Sequence, residues 1–223
     1  MALPQGRAHV AGAAGRIEVA AQVPASPRAI AVIAHPHPLF GGTMDNKVVT
    51  TLARAFTESG CATYRFNFRG VGASEGGHDE GAGETDDMVR VIEHARSESG
   101  ALPLMLAGFS FGGAVATRAS CRVDFAQLVL VAPGFRRISK HGMGEAPDPA
   151  DPALGPAGRH TTSNTLVVHG DLDETVPLSD SIAWATVREV AVTVVPGGEH
   201  FFHRKLHILR EIVARWIRAG VPE

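Results

Sequence analysis

The sequence predicts an α/β fold, one domain over residues 1–223 with a mainly parallel central sheet and helices on both faces. Continuously apolar strand-length runs alternate with segments of helical periodicity, as β-helix-β units require. A Gly-x-Ser-x-Gly turn joins one such run directly to a helix-forming stretch. The 223-residue length and 44% apolar content suit a single domain with a sizeable core.

Taken in order, Arg16 to Val23 alternates as a half-buried strand does, whereas Ala29 to Ala34 is apolar throughout and reads as a strand buried on both faces. Lys47 to Ser59 has helical spacing through Val48, Leu52, Ala55 and Phe56, and Gly60 stops it before the strand Cys61 to Phe68. A glycine-rich loop, Gly70 to Gly83, leads to a helix over Glu84 to Ser99. Glu84, Asp86 and Asp87 suit the positive end of its dipole and read as structural. The apolar run Leu102 to Ala107 precedes the serine turn, and Ala114 to Ala119 continues as a helix. Strands follow at Phe125 to Ala132 and Thr165 to His169, then a helix near Leu178 to Val187, the strand Val190 to Val195, and a last helix over Phe202 to Ala219. Residues 1–14 carry no strong pattern and read as poorly ordered. Residues 135–164 are rich in Pro, Gly and Asp and read as a long loop or short flap, too small for a cap domain and placed to limit substrate size. Units of this kind put a site at the carboxyl ends of the strands.

Composition excludes several functions. The net charge is −2, with no basic stripe for nucleic acid and no apolar run near the roughly 20 residues that span a bilayer. Met1 to Arg7 lacks the apolar core of a signal peptide, which points to the cytoplasm. Cys61 and Cys121 have neither disulfide-framework nor metal-ligand spacing and read as buried apolar residues. No metal is expected.

Gly108-Phe109-Ser110-Phe111-Gly112 carries the chemistry. A sharp strand-to-helix turn exposes the serine hydroxyl, and the flanking glycines let the two backbones approach. A serine nucleophile at neutral pH needs a base, and the base needs an orienting acid. Both follow later strands: Asp173 in His169-Gly170-Asp171-Leu172-Asp173-Glu174, and His200 in Pro196-Gly197-Gly198-Glu199-His200. Asp171, nearest the strand end, competes with Asp173 but suits an Asx turn. His169 reads as a structural strand-end residue. His203 and His207 have the spacing of half a zinc site, but Arg204 stands where that motif needs Glu, and a solvated helix face is the better reading. For the oxyanion hole, one backbone N–H comes from Phe111. The other comes from His37 or Leu39 in His35-Pro36-His37-Pro38-Leu39, because the prolines have none to give; His37 lies closer to the strand end. Phe40, Phe109 and Phe201, with Phe111, Phe135 and Phe202, are candidates for an apolar substrate pocket, against the plainer role of core aromatics.

Four separated motifs carry a resemblance over about residues 15–218: His35 to Val49, Arg65-Phe66-Asn67-Phe68-Arg69-Gly70-Val71-Gly72-Ala73-Ser74, Gly108 to Gly113, and His200 to Leu206. The chain resembles small serine α/β-hydrolases related to the dienelactone-hydrolase-like group. That resemblance implies a single-domain α/β-hydrolase fold with no large lid and a Ser110-Asp173-His200 triad. It further implies an oxyanion hole from Phe111 and the His37 region, no cofactor, and hydrolysis of a small-molecule ester. The chain departs from the pattern at Asn67, where larger relatives carry Asp, and at His35-Pro36, where many carry His-Gly. It also has a serine where dienelactone hydrolases use cysteine. The same residues would serve a thioester or small amide, and a ligand-binding protein without turnover would retain the pocket. Either a monomer or a homodimer fits the sequence.

Overall fold

The computed structural model describes residues 5–136, 138–139, 142–143, 148–156 and 158–220. Two strands, β1 (Gln5–Gly12) and β2 (Gly15–Gln22), open the chain as an antiparallel hairpin, followed by β3 (Ala29–Ala34), α1 (Lys47–Glu58), β4 (Cys61–Phe66) and α2 (Ala82–Ser99). Then come β5 (Leu104–Phe109), α3 (Phe111–Ser120), β6 (Gln127–Val131), the two-residue strands β7 (Ile138–Ser139) and β8 (Gly142–Met143), and β9 (Thr165–Gly170). The chain ends in α4 (Leu178–Arg188), β10 (Val192–Val195) and α5 (Leu206–Gly220).

Eight strands form one sheet in the order β1-β2-β4-β3-β5-β6-β9-β10. From β4 to β10 the neighbours are parallel, while β2 runs antiparallel to both β1 and β4. β3 shows why its sequence is apolar without a break. Ile30, Val32 and Ala34 enter a core with Met88, Val91 and Ile92 of α2 and Val115 of α3. Ala29, Ala31 and Ile33 enter a second core, on the other face, with Leu52 and Phe56 of α1 and Leu209 and Val213 of α5. A strand covered on both faces has no polar side to show.

Two expectations about the chain's start and end need correction. Residues 5–12, expected to be poorly ordered, form the edge strand β1, its ladder running from Gln5 opposite Gln22 to Gly12 opposite Gly15. Its side chains are mostly exposed, with only Val10 reaching the core, so backbone pairing and not an apolar pattern defines it. Residues 1–4 lie outside the described residues. The last helix begins at Leu206 and not at Phe202, because Phe202 (φ 52°) and Arg204 (φ 60°) occupy the left-handed region and hold that segment in a turn.

The acidic start of α2 is structural, as expected. Buried Glu84 accepts the N–H of Gly81 at 2.8 Å and of Asp79 at 2.9 Å, capping the helix. Asp87 forms a two-pronged pair with Arg69, both contacts at 2.8 Å, and Asp86 pairs with Arg122 on the surface.

Described residues of 135–164 pack against α3 and α4. Phe135 stacks on Trp184 with centroids 5.3 Å apart, and Trp184 Nε1 donates to Leu154 O at 3.1 Å. Arg188 donates to Gly155 O and Pro149 O, and His160 Nε2 meets Ser120 Oγ at 2.8 Å. Among the described residues no helix is long and apolar enough to cross a membrane.

Candidate active site

Strand ends build the site. Ser110 follows β5 at φ 55°, ψ −123°, a conformation that costs a non-glycine residue about 1–3 kcal/mol and persists only where its surroundings fix it. Three backbone bonds do so: Ser110 N–H donates to Val131 O at 2.9 Å, and Ser110 O accepts from Gly113 and Gly134, both at 2.8 Å. The glycine requirement is steric. A Cβ on Gly108 would overlap Gly112 O, and one on Gly112 would overlap Ala34 O and His35 O. The elbow is thereby pressed against the loop after β3.

His200 reaches Ser110 from the loop after β10. Its Nε2 lies 3.1 Å from Ser110 Oγ, and its Nδ1 lies 2.7 Å from Asp173 Oδ2, on the loop after β9. Asp173, and not Asp171, therefore meets the histidine. Asp171 Oδ1 instead accepts Gly197 N–H at 2.6 Å, and Leu172 N–H donates to Gly198 O at 2.9 Å, so the two loops are laced together. A Cβ on Gly170 would strike Gly198 O, which explains glycine at that strand end.

Burial raises the Asp173 carboxyl's proton affinity, yet the hydrogen bonds from His169 and His200 and the Val176 amide outweigh it and hold the group well below the usual carboxylate range. It is an anion at neutral pH. With the carboxylate accepting Nδ1–H, His200 presents its Nε2 lone pair to the serine hydroxyl.

On the oxyanion side, His37 opens a 3₁₀ turn over Pro38–Phe40, and its Nδ1 accepts Leu39 N–H at 3.2 Å. That bond occupies the Leu39 amide and removes it as an alternative donor. The His37 and Phe111 rings lie 4.7 Å apart, so the loop after β3 packs on the elbow. His35 anchors the same loop. Its Nδ1 lies 2.6 Å from Pro36 O and its Nε2 accepts Phe68 N–H at 3.0 Å, an arrangement only the neutral ring satisfies. Burial, the largest cause, lowers this histidine's pKa to about 4.

A cavity of about 320 Å³ opens over Ser110 and His200. Phe40, Phe201, Pro36 and His37 give it apolar and aromatic walls, and Asn46 and Thr175 add polar points. Phe40 is 67% and Phe201 41% exposed. Phe109 belongs elsewhere: fully buried in the core, it packs under the His200 ring at 4.9 Å and lines no part of this cavity. As the residue before the elbow serine, it ends β5 with its side chain turned into the α1–α5 face. A second cleft of about 550 Å³ also borders His200, lined by Leu172, Glu174 and Glu199 and sharing Thr175 and Phe201. No described residue of 135–164 lines either cleft, and Leu154 and Gly155 of this segment are engaged with Trp184 and Arg188 of α4.

His203 is exposed, pairs with Glu199 at 2.9 Å and sits on the turn before α5, so it shares no helical face with His207. Among the described residues no three His, Cys, Asp or Glu side chains cluster as metal ligands do. Sequence reasoning missed the part played by His169, whose Nε2 lies 3.3 Å from Asp173 Oδ2, and the cavity positions of Asn46 and Thr175. The signal for His169 was its place at a buried strand end four residues before the acid.

A mainly parallel sheet that gathers a strained elbow serine, a histidine and a carboxylate at its strand ends defines the class of α/β serine hydrolases. The chain belongs to the family described as serine aminopeptidase, S33, which matches residues 25–153. It is similar to XC6422 from Xanthomonas campestris, described as an α/β serine hydrolase without lid, at 35% identity and TM-score 0.82, over 98% of this chain and 96% of that one. An α/β serine hydrolase homologue from Coxiella burnetii is 36% identical, with TM-score 0.79 over 94% of this chain and 96% of that one. The uncharacterized protein RP471 of Rickettsia prowazekii (strain Madrid E) is 35% identical over 133 residues, and that match spans 58% of this chain and 56% of the relative.

Proposed function

We propose that the protein is a serine esterase that hydrolyses a small carboxylic ester through an acyl-enzyme. One observation carries the reading: Ser110 Oγ, the His200 ring and the Asp173 carboxylate form an unbroken chain with links of 3.1 and 2.7 Å beneath an open apolar cavity.

His200 Nε2 takes the Ser110 proton as Oγ attacks the ester carbonyl, and Asp173 holds the ring's tautomer and stabilises the imidazolium. The backbone N–H groups of Phe111 and His37 receive the developing oxyanion, each contributing about 10²- to 10³-fold in rate. Collapse expels the alcohol, which takes the proton from His200. A water deprotonated by His200 then attacks the acyl-enzyme, and the carboxylic acid leaves with Ser110 restored. Phe40 and Phe201 hold one side of the ester, and the second cleft beside His200 has room for the other. The chemistry calls on no metal or cofactor, and a single chain supplies every group.

A second reading, hydrolysis of a small amide, is favoured by the family's description as an aminopeptidase. A panel of aryl esters of graded acyl length, matched thioesters and aminoacyl anilides separates the two. The proposal expects esters to turn over fastest and Ser110→Ala to abolish that turnover in a folded protein. Anilides hydrolysed faster than every ester would transfer the assignment to amides.

A further inference from the structure

We propose that His169 is a positioning residue for the reaction: from β9 it holds Asp173 in the orientation that His200 requires. The inference rests on the esterase reading of Ser110, His200 and Asp173.

The ring's hydrogen bonds fix its tautomer. His169 Nε2 lies 3.0 Å from Val176 O, which can only accept, so Nε2 carries the hydrogen. Nδ1, 2.8 Å from Ser181 Oγ on α4, is then the acceptor of that hydroxyl's proton. Nε2 also lies 3.3 Å from Asp173 Oδ2, so the N–H that bonds the Val176 carbonyl is close enough to act electrostatically on the carboxylate. Asp173 Oδ1 meanwhile accepts Thr175 N–H at 2.9 Å and Val176 N–H at 2.8 Å. The oxygen that meets His200 is thus flanked by two imidazoles, one on the turn after β10 and one at the end of strand β9.

That difference in mounting gives His169 its role. β9 is paired on both sides, with β6 and β10, and the His169 and Asp173 side chains are both fully buried. Asp173 itself sits on a turn. The Thr175 and Val176 amides pin Oδ1, and His169 adds the second contact on Oδ2, the oxygen that meets His200; a misplacement of about 1 Å at a reacting group costs up to about 10²-fold in rate. The other charged groups nearby do not substitute: Asp171 is bound to the Gly197 amide, and Glu174 projects into solvent. Hydrogen bonding from His169 is also among the causes that hold the Asp173 carboxyl low.

The test compares wild type with His169→Leu, His169→Gln and Ser181→Ala. Two readouts distinguish positioning from simple support of the fold: the acid limb of kcat/KM against pH for an aryl ester, and the low-field proton resonance of the His200–Asp173 hydrogen bond. Losing one donor makes the carboxylate a stronger partner for His200. His169→Leu is therefore expected to move the acid limb up by roughly half a unit, shift the resonance downfield and lower kcat about tenfold at nearly constant KM. His169→Gln, which keeps an N–H donor, returns limb and resonance toward wild type. Ser181→Ala, on a different element, moves both in the same direction by less, and it carries the test if His169→Leu does not fold. A folded His169→Leu protein with limb and resonance unmoved overturns the proposal, whether or not its rate falls. Were wild type to hydrolyse no ester, the functional reading would fail on its own, and the resonance would still decide the role of His169.

Discussion

Asn67 Nδ2 donates to Glu18 Oε2 at 2.7 Å, joining the end of β4 to the N-terminal hairpin. The other end of the same amide accepts Met44 N–H at 2.9 Å, which ties in the segment that follows the oxyanion loop. An Asp at position 67 would not suit this arrangement. Glu18 already supplies a carboxylate here, further bonded to Ala73 N–H and Arg7, and a second would face it in a buried site.

Asn67→Asp therefore tests this arrangement. The substitution keeps an acceptor for Met44 but sets two carboxylates together, and we expect a loss of about 1–3 kcal/mol at neutral pH. A proton shared by such a pair is bound more tightly in the folded state, so stability should partly return as the pH falls toward 5. Urea unfolding at the two pH values measures it. Equal loss at both would show that the charge pair is not the cause.

Stability against pH follows from two buried histidines. His35 and His160 have pKa values lowered to about 4 from 6.5, in both cases chiefly by burial, with Arg188 and Arg159 adding to the effect at His160. The unfolded chain takes up these protons near 6.5 while the folded chain does not. Stability should then fall between pH 6.5 and 4, by about 1.4 kcal/mol per pH unit for each histidine at most. Asp173 and Glu18 have depressed pKa values, so their contribution persists through this window and is lost only as pH falls below the ordinary carboxylate range. His160→Gln should roughly halve the slope in urea unfolding. A wild-type profile flat from pH 6.5 to 4.5 would mean that both rings protonate within the fold.

The aromatic residues divide into wall and core. Phe40→Ala, at an exposed cavity wall, should raise KM for aryl esters several-fold while changing stability by no more than about 0.5 kcal/mol. Phe109→Ala removes a fully buried ring and should cost about 3–5 kcal/mol. Kinetics and chemical unfolding on the two variants check the division, and the opposite pattern would place Phe109 on the substrate.

What was legible in the sequence was whatever one strand and its following loop could show by themselves. The continuous apolar run of β3, the glycine-flanked Ser110 and the strand-end positions of Asp173 and His200 all have local signatures. Prolines narrowed the oxyanion donors, and the structure then removed Leu39 through a side-chain bond from His37 that spacing does not reveal. The misses share a different cause. β1 exists because β2 pairs with it, Phe109 is core because β5 turns it away from the cavity, and His169 reaches Asp173 through the curl of a loop. Within 135–164 the composition shows only a loop, and the attachment of Leu154 and Gly155 to Trp184 and Arg188 depends on residues some thirty positions away.

A Ser110 activated by His200 should react covalently with an electrophile that needs a nucleophilic serine. The intact protein is treated with a fluorophosphonate at neutral pH and the adduct located by peptide mass spectrometry. One adduct is expected, on Ser110, absent in Ser110→Ala and strongly slowed in His200→Ala, with the fold retained in both. A folded wild-type protein that forms no adduct, or forms it on another residue, would contradict it.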